Sequence, residues 1–381
     1  MKAIAAKIKR YFIRTDHALW VMCVMMSAIG AVLLYGCLVS GYAASLGVSR
    51  RMFFIQIGAA LAGIFAAFII SLIDYRFLLK TWMVHIPLAY FLVALTFFFG
   101  FGHIERPDDR RWLMLPFLNM QFQPSELLKI SFIMSFALHI HKLSDSIGRL
   151  IPVISLALHI CVPVVLIHLQ GDDGTALLIG LTGIAMMFLS GVKWRYFLAL
   201  ASGLSVGVPL AWYYVLSPFQ KERITVLFNQ DTADVLGIYY QQYYAKMAIA
   251  MGGTTGIGLF DAAHTYIPIM HNDFIFAFLA ESFGFMGALG VLSLMVALCL
   301  KILYNGIRAD DSRGAAICCG VFAMLLFQAF INVGMCLSLL PVIGNTFPFL
   351  SQGGSSVLTA YIGIGLVMSV YMWKKEEMFF D

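Results

Sequence analysis

Charge is what this sequence has least of. Asp, Glu, Lys and Arg make up only 12% of its 381 residues, about half the share typical of soluble domains. Hydrophobic residues make up 61%, and the mean hydropathy is +0.87. Such a chain has too little polar surface to cover a water-soluble globule, which excludes that class. Cysteines are few and badly placed for cross-linking. Cys23, Cys37, Cys161, Cys299, Cys318, Cys319 and Cys336 all lie in apolar stretches without CxxC or paired loop spacing, which argues against a disulfide framework or a zinc site. Internal repeats and low-complexity tracts are also lacking, and His139, His141, His264 and His271 have no metal-ligand spacing. The net charge of +5 follows topology rather than forming a basic nucleic-acid footprint, so no nucleic-acid partner is expected.

What is present is a series of apolar runs, each near the ~20 residues that a bilayer-spanning helix needs. They fall near 18–40, 52–73, 82–100, 124–141, 150–168, 174–191, 195–216, 273–300, 314–340 and 353–373, with ends good to about 2–4 residues. The expected fold is an all-α integral membrane protein of about ten transmembrane helices. Its organisation would be a cytoplasmic segment 1–17, one membrane domain 18–373 with a large outer loop at about 217–272, and a cytoplasmic tail 374–381. A basic start (Lys2, Lys7, Lys9, Arg10, Arg14) before the first run resembles a signal peptide. That run is too long for a signal core, and more spans follow, so it reads as a retained anchor.

Charge sets the orientation. With the N-terminus inside, sixteen of the 25 Lys and Arg residues lie on that side and eight lie outside, with Lys129 in a span. This is the positive-inside pattern. Both termini are then cytoplasmic.

The outer connections gather the remaining polar residues. The loop at 101–123 carries His103, Glu105, Arg106, Asp108, Asp109, Arg110, Arg111 and Trp112; the loop at 217–272 carries Lys221, Glu222, Arg223, Asp231, Asp234, Lys246, His264 and His271 with five tyrosines. A loop of the second length is functional or disordered as a rule, and its apolar run Ala245 to Ala250 favours embedded short helices. Mixed charge, aromatics and glycines suit an amphipathic ligand bearing sugars and phosphates; solvated loops with interface aromatics are the blander reading.

Several residues carry two readings. Gln123-Pro124-Ser125-Glu126 opens the fourth span with proline in its first turn, and Glu126 with Lys129 has the i, i+3 spacing of an ion pair. Ionisable residues within a span are costly and hence functional candidates, yet a structural pair explains these two equally well. Asp273, at the head of an apolar segment, is either a base for an attacking hydroxyl or a helix N-cap. As a base it needs its pKa raised from ~3.9. Glu281 stands ~12 Å further along that helix and reads as a buried, bonded support. Asp172 and Asp173 can ligate a divalent cation or favour a helix dipole, but two carboxylates are an incomplete metal site. The stretch Gly252 to Gly258 lacks the strand and the Lys-Ser/Thr ending of a phosphate loop and reads as a flexible turn.

In order along the chain stand Arg111-Trp112, the QPSE motif with Lys129, Gln220 with Arg223-Ile224, Tyr240-Gln241, Ala248-Ile249 and Gly252-Gly253. Then come Asp273 to Phe276 with Glu281, Asn332 to Met335, Leu339 to Val342, Gly344, Pro348-Phe349, Ser351 and Gly353 to Ser356. This series resembles the SEDS family, the shape, elongation, division and sporulation proteins that include RodA and FtsW. The resemblance runs from the first span to the last. It implies a ten-helix peptidoglycan glycosyltransferase of the bacterial cytoplasmic membrane, polymerising lipid II on the outer face beside a class B penicillin-binding protein. It implies Asp273 as the catalytic base, and Arg111, Trp112, Lys129, Asp172 and Arg223 as substrate-binding residues. Glu126 and Glu281 are then supports, and Arg111, Arg223 or a divalent cation such as Mg or Mn would face the departing diphosphate. The chain departs from the family where Gln-Pro-Asp-Leu-Gly-Thr is usual: Gln170-Gly171-Asp172-Asp173-Gly174-Thr175 keeps Asp172 and loses proline and leucine. Further departures at Tyr244-Ala245, Ala250, Ser338, Ile343, Thr346 and Gln352 fit a divergent paralogue. Two rival readings are a flippase or transporter of lipid-linked precursor and a non-catalytic scaffold that regulates a penicillin-binding protein.

Overall fold

The computed structural model describes residues 11, 13–40, 49–102, 109–115, 120–230, 233–260 and 264–374. His103, Glu105, Arg106, Asp108 and Asp231 lie outside these, as do most of the basic N-terminal segment and the tail beyond Lys374.

Ten long helices occupy the ten expected apolar runs. In chain order they are α1 (His17–Val39), α2 (Arg50–Ser71), a short α3 (Tyr75–Lys80), α4 (Trp82–Phe99), α5 (Pro124–Leu143), α6 (Leu150–Leu169), α7 (Asp173–Leu189) and α8 (Trp194–Tyr214). The large loop follows with α9 (Pro218–Phe228) and α10 (Tyr240–Gly252), and then α11 (Ile275–Ile307), α12 (Ser312–Cys336) and α13 (Gly354–Met372) close the chain. Eight of these helices are long and apolar enough to cross a bilayer. The other two of the ten, α5 and α7, fall short for different reasons. α7 has only 17 residues, and α5 carries Glu126 and Lys129. α5 is also buried along most of its length, so neighbouring helices rather than lipid surround it, and its mean hydropathy need not match hydrocarbon. α8 shows the opposite, with no buried residue at all.

Small residues let the central helices approach. α13 lies along α2, where a Cβ on Gly63 would meet the Tyr361 ring at 2.7 Å and one on Gly365 would meet the Ala67 Cα at 2.8 Å. Without a hydrophobic drive between helices in lipid, such close van der Waals contact is a main source of association. α12, at the centre, packs against α11, α7 and α5. The seven cysteines are all free, and six are buried.

Two polar clusters mark the two ends of the bundle. At the end carrying the start of α1 and the end of α13, Lys301 pairs with Asp16 at 3.0 Å, and Arg76 reaches Asp310 at 3.2 Å and Asp311 at 3.4 Å. Asp311 caps α12 through the Gly314 amide and receives Tyr75 and Arg313. Burial alone would raise its pKa, yet these donors hold it down at about 2. The opposite end carries the long loops.

Two features there differ from the sequence reading. The loop before α5 contains a hairpin, β1 (Leu113–Leu115) antiparallel to β2 (Met120–Phe122), extended by a bridge between Phe101 and Trp112. The glycine turn at 252–258, expected to be flexible, is docked. α11 breaks at Gly284, whose φ of 65° suits glycine. The carbonyls of Glu281 and Ser282 accept from Ile257 and Gly258 at 3.0 and 3.1 Å, while Phe285 and Met286 donate to Gly253 and Thr254 at 2.8 and 3.1 Å. The turn thus supplies the hydrogen bonds that the broken helix lacks, as buried backbone requires.

Candidate active site

Four segments converge at the loop end: the hairpin loop, the start of α7, α9, and the loop from Pro341 to Gly353. Asp172 joins the hairpin loop and the start of α7 to the head of α5. As N-cap of α7 it accepts from the Thr175 amide at 3.2 Å. Its other oxygen accepts from Gln123 Nε2 at 2.7 Å and Ser125 Oγ at 3.1 Å, and Arg111 Nη1 lies 3.9 Å from Oδ1. Arg111 also pairs with Asp109. The QPSE motif is therefore a clasp on Asp172 at the head of α5, with proline at its first position.

Asp273 stands just ahead of α11. Its backbone carbonyl accepts from Asn332 Nδ2 at 2.8 Å, and its carboxylate receives no hydrogen bond from the described residues. The helix cap is the next residue, Phe274, without a side-chain bond, so the N-cap reading of Asp273 falls away. Burial pushes its pKa up to about 6, against the pull of Arg111 and Arg223 and with a further push from Asp172. A Cβ built on Gly344, whose φ is +72°, would stand 3.6 Å from Asp273 Oδ2 and 3.8 Å from Arg111 Nη1. This glycine leaves the space between carboxylate and guanidinium open. A carboxylate near pKa 6 is poised to accept a proton at neutral pH.

Arg223 comes from α9, which a Ser217–Gln220 capping box starts. Its guanidinium lies 4.5 Å over the Phe219 ring and donates to the Val342 carbonyl. It faces a cavity of about 750 Å³ lined also by Asp109, His168, Asp173, Gln220 and Ile343. The cavity wall touches the Asp273 centre through Arg223, Asp109 and the residue before Gly344.

The remaining expected residues fall into four groups. Lys129 pairs with Glu126 at 2.8 Å, both buried, and neither lines the cavity. Trp112 is half-buried and bridges Phe101 through its backbone; it too lies off the cavity wall. Glu281 accepts from Thr265 N at 2.8 Å and Thr265 Oγ1 at 2.6 Å and meets His264 Nδ1 at 2.9 Å. It anchors the large loop to α11 as a support. Asp172 and Asp173 turn apart: Asp173 meets His168 at 2.7 Å and Gln220 at 2.8 Å. Among the described residues no group of three or more His, Cys, Asp or Glu converges as a metal site.

A model of the FtsW, RodA and SpoVE family, described as cell cycle proteins, matches residues 16–376. The chain belongs to this family. Among its relatives, the peptidoglycan glycosyltransferase MrdB of Escherichia coli is 33% identical over 279 residues, covering 72% of this chain and 74% of that protein. The probable peptidoglycan glycosyltransferase FtsW of Thiomicrospira cyclica is 34% identical over 331 residues, covering 84% and 81%. A chain from a solved structure, described as structural coordination of polymerization and crosslinking by a peptidoglycan synthase complex, matches with a TM-score of 0.79 and 27% identity over 95% of this chain and 99% of that one. RodA of Thermus thermophilus shares the fold, with a TM-score of 0.68 and 24% identity over 94% and 96%.

Within this FtsW/RodA/SpoVE fold, sequence reading missed the amides that build the site. Gln123 reaches Asp172, and Asn332 bridges Asp273 to the Asn345 carbonyl at 2.7 Å. Gln328 holds Thr346 and Ser356 at 3.0 and 3.2 Å. Gln328 and Asn332 did leave a signal: amides in the middle of an apolar span require partners.

Proposed function

We propose that this chain is a peptidoglycan glycosyltransferase that polymerises lipid II into glycan strands at the outer face of the bacterial cytoplasmic membrane. The observation that carries this reading is the uncommitted carboxylate of Asp273, with a pKa near 6, facing Arg111 beside a 750 Å³ cavity. In the proposed step Asp273 takes the proton of a sugar hydroxyl, and the freed oxygen attacks the anomeric carbon of a second lipid-linked sugar. The bond from that carbon to the diphosphate breaks, and undecaprenyl diphosphate leaves with the electron pair. Arg111 and Arg223 supply positive charge where negative charge develops. A divalent cation such as Mg or Mn belongs in this scheme with the substrate's diphosphate, since Asp172 and Asp173 spend their oxygens on separate partners. Positive residues gathered at the terminus end support a cytoplasmic placement of both termini. Likeness to a chain solved within a peptidoglycan synthase complex supports a class B penicillin-binding protein as partner.

A transporter needs a continuous polar path. The polar groups of α5 are instead spent within the bundle: Lys129 bonds Glu126 at 2.8 Å, Ser131 meets His85 at 2.8 Å, and His139 meets His159 at 2.9 Å in a short chain that ends on Ser155 and Ser135 at 3.3 and 3.1 Å. The test is purified protein, with and without its partner, incubated with lipid II. Glycan polymer that disappears in Asp273→Asn supports the enzyme. Equal polymer in that variant removes Asp273 from the chemistry, and lipid movement between leaflets without polymer supports a transporter.

A further inference from the structure

Arg111 presents its two terminal nitrogens to two different places. Nη1 belongs to the Asp273 centre: it lies 3.9 Å from Asp172 Oδ1, and a Cβ on Gly344 would stand 3.8 Å from it and 3.6 Å from Asp273 Oδ2. Nη2 holds the Asp109 carboxylate. Asp109 lines the 750 Å³ cavity and Arg111 does not, so the carboxylate covers the guanidinium on its cavity side. Both side chains are largely shielded from water, at 14% and 15% exposure. The reversal between α6 and α7 makes the room, because Gly171 has a φ of +80° and a side chain there would overlap Asp109 Oδ1. One residue on, the chain is pinned: the Arg110 amide donates to the Gln170 carbonyl at 3.1 Å, and its guanidinium to that of Phe97.

This arrangement is a poor host for an anion. Among the described residues of the cavity wall, one guanidinium, Arg223, faces two carboxylates, Asp109 and Asp173. Asp173 is spent on His168 at 2.7 Å and on Gln220 at 2.8 Å, whereas Asp109 is spent on a guanidinium. A carboxylate and a phosphate offer the same pair of oxygens to the fork of an arginine. We propose that Asp109 is a stand-in for substrate phosphate on Arg111, and that the diphosphate of the lipid-linked sugar takes the place of its carboxylate. The inference rests on the proposed function and names a residue that sets its substrate affinity. Rotation of the Asp109 side chain parts the pair, and Arg111 then joins Arg223 on the cavity wall. The count there is reversed, with two guanidiniums against Asp173. Nη1 keeps its place beside Asp172, so the side of Arg111 that faces Asp273 is undisturbed. A ligand without phosphate has nothing to exchange for the carboxylate, which makes the contact selective for the anionic substrate.

The probe is lipid II at one fixed pH. Binding is measured on full-length Asp273→Asn protein, in which the proposed mechanism leaves bound substrate unconsumed. A site closed by its own carboxylate about nine times in ten binds about tenfold more weakly than an open one. Adding Asp109→Asn, which keeps the side-chain shape and removes the charge, is therefore expected to lower Kd by about that factor, and Asp109→Ala likewise. Asp109→Glu keeps a carboxylate and with it the weaker binding. In an Arg111→Gln background Asp109→Asn leaves Kd where it was, because no guanidinium remains to be uncovered. Thermal unfolding in detergent checks that each variant is folded. Asn and Ala variants that bind lipid II no better than the parent overturn the inference, since a carboxylate that merely props Arg111 lowers affinity when it is removed. An equal gain with and without Arg111 overturns it as well, that being a general effect of one charge fewer. Absence of both lipid II binding and polymer from the wild-type protein would remove the glycosyltransferase reading itself. Polymer from wild type with a Kd unmoved by Asp109→Asn removes this inference only.

Discussion

Asn332 donates from Nδ2 to the backbone carbonyl of Asp273 at 2.8 Å and to that of Asn345 at 2.7 Å. One buried amide thus ties the segment that carries the candidate base to the loop that carries Gly344. Since Gly344 lies beside both Asp273 and Arg111, this amide fixes how the proposed base sits against that loop. Asn332→Leu leaves two carbonyls without their donor, at a cost of about 1–3 kcal/mol for each buried group left unpaired. The expected outcome is a lower melting temperature in detergent and a fall in kcat of about tenfold or more, because small misplacements of reacting groups are costly. A variant with wild-type kcat and only reduced stability would show that the bridge is structural alone.

In the proposed mechanism Asp273 gives the reaction its pH dependence. Burial places its pKa at about 6, and a general base works only when deprotonated. kcat/KM is therefore expected to fall by tenfold per pH unit below about 6 and to level off above it. Asp273→Glu keeps the carboxylate but moves it by a methylene, so activity should survive at a small fraction with a shifted profile. A rate profile that is flat between about pH 5 and pH 7 would remove Asp273 as the titrating base.

The same raised pKa makes Asp273 a burden on folding. The folded value, about 6, lies above the ordinary 3.8, so the unfolded state is favoured wherever the group is ionised in it. Below about 3.8 both states are protonated and no penalty remains; it grows as pH rises and is complete above about 6. Two pKa units correspond to about 3 kcal/mol, an upper bound because the residue as a whole keeps some exposure to solvent. Asp273→Asn should thus be inactive yet more heat-stable near neutral pH, with the gain vanishing in acid. Thermal unfolding of both proteins across pH checks the sign.

Most of the fold was legible because hydrocarbon imposes length and apolarity on a spanning segment, and all ten runs became helices. The grouping of the candidate site was legible in part. Asp273, Arg111, Asp172 and Arg223 do meet, but the sequence could not show that Asp172 and Asp173 diverge, because that depends on the reversal at Gly171. The hairpin of β1 and β2 escaped since each strand has only three residues, too few to show the alternation that marks a half-buried strand. The break at Gly284 escaped for a different reason. Glycines are frequent in membrane helices, and only the docked turn from Gly252 to Gly258, distant in sequence, tells this one apart.

Glu126 and Lys129 can be assigned by a double substitution. They pair at 2.8 Å in a buried stretch of α5, within one turn of Ser125, which holds Asp172. Lys129→Met alone strands a buried carboxylate and should cost about 3–5 kcal/mol. Adding Glu126→Leu removes that carboxylate, so the double variant should recover stability, since apolar replacement of a buried pair is often neutral or stabilising. Activity then separates the two roles. A structural pair predicts that polymerisation returns with stability, because the Asp172 clasp through Gln123 and Ser125 stays intact. Contact between Lys129 and substrate predicts a double variant that melts like wild type and makes no polymer. The pair lies off the cavity wall, and Lys129 spends its charge on Glu126, so recovery of both is the outcome expected.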